Sequence, residues 1–454
     1  MTAKRKIRMP VMRRSRALVA SSRLWKSRLV FWMGALATGV ISAGFAVAAD
    51  RAQGFFTVVT QGSWHIWLPL AITPAGMMLS AWIADRYFPG SQGSGIPQAI
   101  AARHLRDDDE RTGLLSIKLS VGKIALTILG LASGASIGRE GPTVQIGASL
   151  MLLSARVGGM AHARGLILAG SAAGIAAAFN TPLAGIVFAI EEMSRAYDSR
   201  SNTVVLSAVI IAGMASLALT GSYTYFGVVH VTSQFPGDWP LVIACGVLGG
   251  ALGATFSKLT LLLVRRVRRW KALTQWRKVV VVAGVAGLVI AVIGIATGGM
   301  TFGTSYADAR NAVEGHPLPW YFFAGKFVVT LASTVSGIPG GLFAPSLAVG
   351  AGLGSVLGVI FGSSAGLAAV LGMSGYFAGV VQAPMTAFVI IVEMTNSHDN
   401  VVPIMAAAML GYGTSRLIAR EPLYHALSRL WAADVIRKMR SGQVEAPVPP
   451  VNLP

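Results

Sequence analysis

The chain has 454 residues, of which 54% are hydrophobic and only 12% charged. A soluble globular domain carries about 25% charged residues, so this composition excludes an ordinary soluble domain and points to a chain embedded in a membrane. The net charge is +20, but the basic residues cluster beside apolar runs and not on a polar domain, which argues against nucleic acid as a partner.

Residues 1–28 hold Lys4, Arg5, Lys6, Arg8, Arg13, Arg14, Arg16, Arg23, Lys26 and Arg28 and no acid. The apolar run 29–49 follows, and 203–220, 279–298 and 352–372 are further examples near twenty residues. Each is about long enough to cross a hydrocarbon core of roughly 30 Å. Ala46-Val47-Ala48 has the small-residue form of a signal-peptide cleavage site, but the run is long enough to span and no soluble domain follows it. Asp107, Asp108, Asp109 and Glu110 read as a solvated loop. Cys245, the single cysteine, sits in an apolar run, so no disulfide within the chain and no cysteine metal site is expected. A second basic cluster holds Arg265, Arg266, Arg268, Arg269, Lys271, Arg277 and Lys278, and a third holds Arg429, Arg437, Lys438 and Arg440. Basic clusters at the ends of spanning segments stay inside, so the 265–278 loop and both termini are expected on the cytoplasmic side of a plasma membrane. The organisation read from this is a basic segment over 1–28, a transmembrane domain over 29–424, and a tail over 425–454 with an amphipathic surface helix at 425–440.

The two halves of the domain repeat. At an offset of 203, Gly122, Lys123, Thr127, Ser133, Gly134, Gly138, Pro142 and Gly147 match Gly325, Lys326, Thr330, Ser336, Gly337, Gly341, Pro345 and Gly350. At an offset of 202, Gly170, Ala176, Pro182 and Glu191 match Gly372, Ala378, Pro384 and Glu393. An internal duplication follows, with one repeat over about 29–220 and the other over about 238–424. Identities alone leave open whether the repeats are parallel or inverted. Apolar segments too short to span, such as 94–103 and 343–350, point to broken helices around a binding site.

The pattern G-x-x-x-P occurs as GSGIP at 93–97, GREGP at 138–142 and GLFAP at 341–345. Proline suits the first turn of a helix and glycine the sharp turn before it. Each motif therefore reads as a helix beginning inside the protein, offering free N–H groups and the positive end of a dipole. Several such starts aimed at one point make an anion site, and one weak enough to release its ion. The competing reading is that these residues only kink spanning helices.

These motifs, in this order, resemble the anion-pathway motifs of the CLC chloride channels and transporters. Pro422-Leu423-Tyr424 is similar to that family's late tyrosine element, and GSAAGIAAAFNTPLAGIVFAIEEM at 170–193 is similar to a further block. The resemblance covers roughly residues 30–430. It implies an all-helical fold of about eighteen tilted, partly broken helices in two inverted repeats, and a homodimer in the lipid bilayer with one pathway per subunit. It also implies chloride and protons as the transported ions, with no metal, nucleotide or organic cofactor; the tail is short for the nucleotide-sensing domains of many eukaryotic members. Ser94 and Tyr424 would offer hydroxyls to a central chloride. Backbone groups of Arg139, Gly141, Gly341, Leu342 and Phe343 would line the rest. Glu140 matches the gating glutamate, a carboxylate that competes with chloride for the same donors and leaves when protonated. Glu192 matches the internal proton-transfer glutamate; Glu191, repeat-matched to Glu393, would have a structural job. Lys123 and Lys326 would either attract anions or stabilise membrane ends, the second being favoured for Lys326. Ser94 and Pro142 favour chloride, with bromide tolerated, over nitrate or fluoride.

Two rival functions share these features. A passive chloride channel on the same fold is separated from an exchanger chiefly by Glu192. An intramembrane serine protease would draw on Gly372-Met373-Ser374-Gly375 or on Gly134-Ala135-Ser136-Ile137-Gly138, but these need a histidine base or an α/β elbow, and His398 and His425 lie near segment ends.

Overall fold

A computed structural model describes residues 22–62, 65–160, 163–194, 199–221, 224–270 and 272–444. The basic residues of 1–21, Lys271 and the end of the tail lie outside the described residues.

The first half runs through α1 (Ser22–Thr60), α2 (Pro69–Tyr87), α3 (Ile96–His104), α4 (Asp108–Thr112), α5 (Ile117–Ala132), α6 (Glu140–Gly158), α7 (Ala163–Phe179), α8 (Pro182–Phe188) and α9 (Ser199–Thr220). α8 continues into a π turn, Ala189–Ser194. The second half holds α10 (Trp239–Arg269), α11 (Gln275–Ala296), α12 (Tyr306–Val313), α13 (Trp320–Ser336), α14 (Phe343–Phe361), α15 (Ala365–Val381), α16 (Pro384–Thr395) and α17 (Val401–Ile418), followed by α18 (Leu423–Val444). Among the described residues, eight helices are long and apolar enough to cross a membrane. Proline stands in the first turn of α2, α3, α8, α10 and α16, where the missing N–H costs no helix bond.

The duplication carries through to the helix ends. α6 starts at 140 and ends at 158, and α14 at 343 and 361, both offset by 203. α7 and α15 match at 202, and each is followed by a left-handed polar residue, Asn180 and Gln382. The same close crossing recurs in both halves. A Cβ on Gly147 would fall 2.2 Å from the Gly170 carbonyl oxygen, and one on Gly350 would fall 2.7 Å from that of Gly372. Small residues at such crossings let helix backbones touch, which is how membrane helices pack without a hydrophobic drive between them.

The halves are related by a local two-fold. Gly138 N–H donates to Gly341 O (2.8 Å) while Gly341 N–H donates to Gly138 O, closing an antiparallel bridge between repeat-matched residues. The reciprocity recurs at a distance. Glu191 accepts from the amides of Met385 and Thr386, and Glu393 from those of Leu183 and Ala184. Matched segments meeting head to head in opposite directions are what an inverted repeat requires.

Four expectations are corrected. The apolar run 352–372 is not one span but the end of α14 and the start of α15, because Gly362 takes a left-handed φ of 66° and stops the helix. The segment 343–350 is not short; it opens the 19-residue α14. Asp107–Glu110 is not a loop but the capped start of α4, with the Glu110 carboxylate turned back towards the Arg106 and Asp107 amides. The helix expected at 425–440 begins at Leu423, and its first turn is buried, so it is a surface helix only beyond that turn.

Candidate functional site

Three helix starts meet at one place because their glycines leave room for backbone. Gly93 and Gly95 sit at φ 69° and 105°, conformations that favour glycine. Gly93 exchanges backbone hydrogen bonds with Ile338 and Gly340. A Cβ on Gly95 would fall 2.6 Å from Gly141 O, one on Gly141 2.3 Å from Ser94 Oγ, and one on Gly341 2.9 Å from Gly141 N. The first turns of α3, α6 and α14 are thereby held together, and their unsatisfied amides and dipoles share a small buried volume.

Glu140, the first residue of α6, is fully buried there. Its carboxylate is folded back over its own motif: a Cβ on Gly138 would fall 2.2 Å from Glu140 Oε2. It lies against the amides of Glu140 and Ala344. The hydroxyls of Ser94 and Tyr424 face each other nearby. Both are buried. Two convergent buried donors of this kind suit an anion.

The Phe343 ring packs among Phe179, Phe188, Phe377 and Tyr424, with centroids 4.7–6.3 Å apart. This apolar cluster walls the site and leaves the backbone of α14 to face it. Gly341 is placed differently from expectation. Its N–H is taken up by Gly138 O, so within GLFAP the helix-start donors are Leu342 and Phe343. The Arg139 guanidinium is also engaged elsewhere, on Asp50 (2.7 Å), on Ala46 O (2.8 Å) and over the Tyr225 ring. What Arg139 offers the site is its backbone.

A cavity of about 790 Å³ opens towards the Ser94 side of this point. Gly93, Ser94 and the Ser336–Ile338 loop line one part, and Arg265, Arg268, Arg269, Lys278 and Arg437 line another together with the acids Asp85 and Asp434. Arg265, Arg268, Arg269 and Lys278 of the second basic cluster thus share one face with Arg437 of the third, and Arg268 pairs with Asp434 (2.6 Å).

Glu192 is buried in the π turn after α8. Tyr424 is within electrostatic range of both Glu192 and Glu140. Glu191 points elsewhere: it caps α16, as the repeat argument anticipated, and Thr386 Oγ1 donates to it as well (2.8 Å). Lys123 and Lys326 are both fully buried and neither lines the anion site. Lys123 Nζ donates to Ser91 O (2.6 Å) and Gly93 O (2.7 Å), and Lys326 Nζ to Thr301 O (3.1 Å) and Gly303 O (2.7 Å). Each pins the loop before a short helix, α3 or α12. Sequence reasoning missed this pairing because the loops match at an offset of 210, not 203. The protease motifs are structural: Ser374 Oγ donates to Ile404 O, and Ser136 Oγ pairs with Thr330 Oγ1.

The family model described as voltage gated chloride channel matches residues 76–416. The H(+)/Cl(-) exchange transporter ClcA of Yersinia pseudotuberculosis serotype IB (strain PB1/+) is 30% identical over 434 residues, 88% of each chain. ClcA of Salmonella agona (strain SL483) is 31% identical over 409 residues, 85% of each chain. Among solved structures, a slow cyanobacterial Cl-/H+ antiporter superposes with a TM-score of 0.77 at 24% identity, covering 90% of this chain and 98% of that one. A CLC-type fluoride/proton antiporter gives 0.74 at 21% identity, with 88% and 96% covered.

Proposed function

The chain belongs to the voltage gated chloride channel family, and from that premise we propose that it exchanges chloride for protons across the bacterial inner membrane. One observation carries the reading: a fully buried carboxylate, Glu140, sits where three helix starts converge, and Tyr424 feels both it and a second buried carboxylate, Glu192. An ionisable group at membrane depth is a functional group by default, and two of them flanking one anion site allow a proton and an anion to share a path.

Chloride enters the basic cavity and reaches Ser94 and Tyr424, whose hydroxyls are its donors. The amides of Leu342, Phe343, Glu140 and Gly141 bind it further along. The ionised Glu140 side chain occupies the outer part of that path, since it seeks the same N–H groups. Protonation removes its charge and lets chloride displace it. Glu192 supplies that proton from the inner side. Helix dipoles and hydroxyls hold the anion without a lysine or arginine at the centre, so release stays fast. Basic clusters at the ends of spanning segments stay inside, which supports a cytoplasmic orientation for the face around Arg268 and Arg437 and for both termini. Two copies form the working dimer, each with its own pathway.

The geometry favours exchange over a passive channel because Glu192 is withdrawn from solvent, where a plain cytoplasmic surface acid would be exposed. In proteoliposomes, Glu140→Gln should pass chloride with no accompanying proton, and Glu192→Gln should keep chloride moving while proton transport is lost. Proton transport surviving Glu140→Gln would sink the mechanism.

A further inference from the structure

We propose that His425 relays protons from the cytoplasmic face to Glu192, an inference that rests on the exchange reading above. His425 follows Tyr424 in the first turn of α18. Its Nε2 lies 2.9 Å from the Glu192 backbone oxygen and 3.8 Å from Glu192 Oε1. The Glu192 side chain is 2% exposed and that of His425 is 18% exposed. Of the pair, the imidazole is the member that reaches water, and the carboxylate is the buried one.

The π turn keeps the two groups together. Arg103 of α3 donates to Met193 O and to Ser194 Oγ (3.1 Å), fixing the backbone just beyond Glu192. The helices packed on α18 are α3, α4, α10 and α15, and their charged groups have work elsewhere. His104 bonds Ile100 O, Glu110 faces the Arg106 and Asp107 amides, Arg111 pairs with Asp108, and Arg268 pairs with Asp434. The remaining charges on these elements are Asp109 of α4 and Lys258, Arg265, Arg266 and Arg269 of α10; α15 contributes Tyr376. On α18 itself Arg429 pairs with Glu421, and the neighbouring Glu191 caps α16. Among the described residues, Glu192 is the acid that lies at ion-pair distance from the ring.

Imidazole is the side chain whose charge changes between about pH 5 and 8 without help from its surroundings. In the transfer step the imidazolium Nε2–H bond breaks and an O–H bond forms at Glu192 Oε1. The products are neutral imidazole, with its remaining proton on Nδ1, and neutral carboxylic acid; the ring then turns outward and the vacated Nε2 takes a proton from a hydronium ion on the cytoplasmic side. A small rotation of the ring, or one bridging water, brings 3.8 Å to the roughly 2.6–3.2 Å of direct transfer.

The test is chloride-driven exchange in proteoliposomes as a function of pH on the cytoplasmic side, for the wild type and His425→Gln, each also in a Glu140→Gln background. Loss of the relay should slow coupled exchange at pH 7.5 by about tenfold or more, and the deficit should close towards pH 5 as solution protons load Glu192 directly. No slowing should appear in the Glu140→Gln background, where chloride moves without protons. Equal slowing in both backgrounds would make His425 a packing residue and overturn the inference. So would a His425→Gln protein that keeps the wild-type rate and pH profile. His425→Asn provides the same comparison if His425→Gln does not assemble. A wild type that moves no protons at all would overturn the exchange reading and this inference with it.

Discussion

Gly141 shows how little room the anion site leaves. Any side chain there would press on Ser94, with a Cβ 2.3 Å from its hydroxyl and 2.6 Å from its carbonyl oxygen. The carbonyl is backbone in the turn just before α3 and cannot swing aside as a flexible side-chain end would. Overpacking of this kind costs about 1–3 kcal/mol, so Gly141→Ala should weaken chloride binding by roughly ten- to a hundredfold while the protein still assembles; calorimetric chloride titration reads this directly. Unchanged affinity would mean that the Ser94 backbone does not help shape the site. At this scale the sequence was informative where a residue type is chemically unusual for its surroundings. Glu140 in an apolar stretch and Ser94 between two glycines could be picked out from the chain alone. Lys123 could be seen but not interpreted, because its partners are backbone oxygens of Ser91 and Gly93, which carry no side-chain signature. His425 could not be paired with Glu192, since 233 residues separate them and no repeat match links them.

At the scale of elements, each half caps a helix of the other. The Glu191 and Glu393 carboxylates receive the first amides of α16 and α8, a charged version of the N-cap interaction. Each of Glu191→Ala and Glu393→Ala should therefore lose about 1 kcal/mol of stability. The losses should show as lowered thermal unfolding midpoints in detergent, with proton coupling retained. Loss of coupling in Glu191→Ala at unchanged stability would move the proton role from Glu192 to Glu191. The two halves differ where function enters: α16 is regular α-helix through its Glu393, whereas α8 gives way to a π turn that carries Glu192. π turns are rare and gather at functional sites. The sequence showed the matched Glu191 and Glu393 but not the π turn, which depends on the packing of Arg103 and His425 against it. Hydropathy likewise joined α14 to α15 over 352–372, since apolar content does not register a left-handed Gly362.

For the whole molecule, a two-fold duplication builds a single site from helix starts that neither half completes alone. GSGIP and GREGP come from the first half, GLFAP from the second, and Tyr424 from the helix that follows both. The basic cavity gathers cations from α10, α11 and α18 around the inner approach to Ser94. Five cations outnumber the two acids Asp85 and Asp434 there, and a cleft of net positive charge raises the local concentration of anions and speeds entry. Arg265→Gln with Arg269→Gln should therefore slow chloride transport at low ionic strength, and the effect should fade near 1 M salt, where screening reaches about 3 Å. A deficit independent of salt would place these residues in the structure of the cavity and not in its field.

The central claim is that anion and proton movements are tied through Glu140 and Glu192. Purified protein in liposomes, given a chloride gradient and a pH electrode, tests it most directly. The account predicts protons driven uphill by chloride, and no such movement in Glu140→Gln. Chloride flux with no proton movement in the wild type would contradict it, and would leave a passive channel on the same fold.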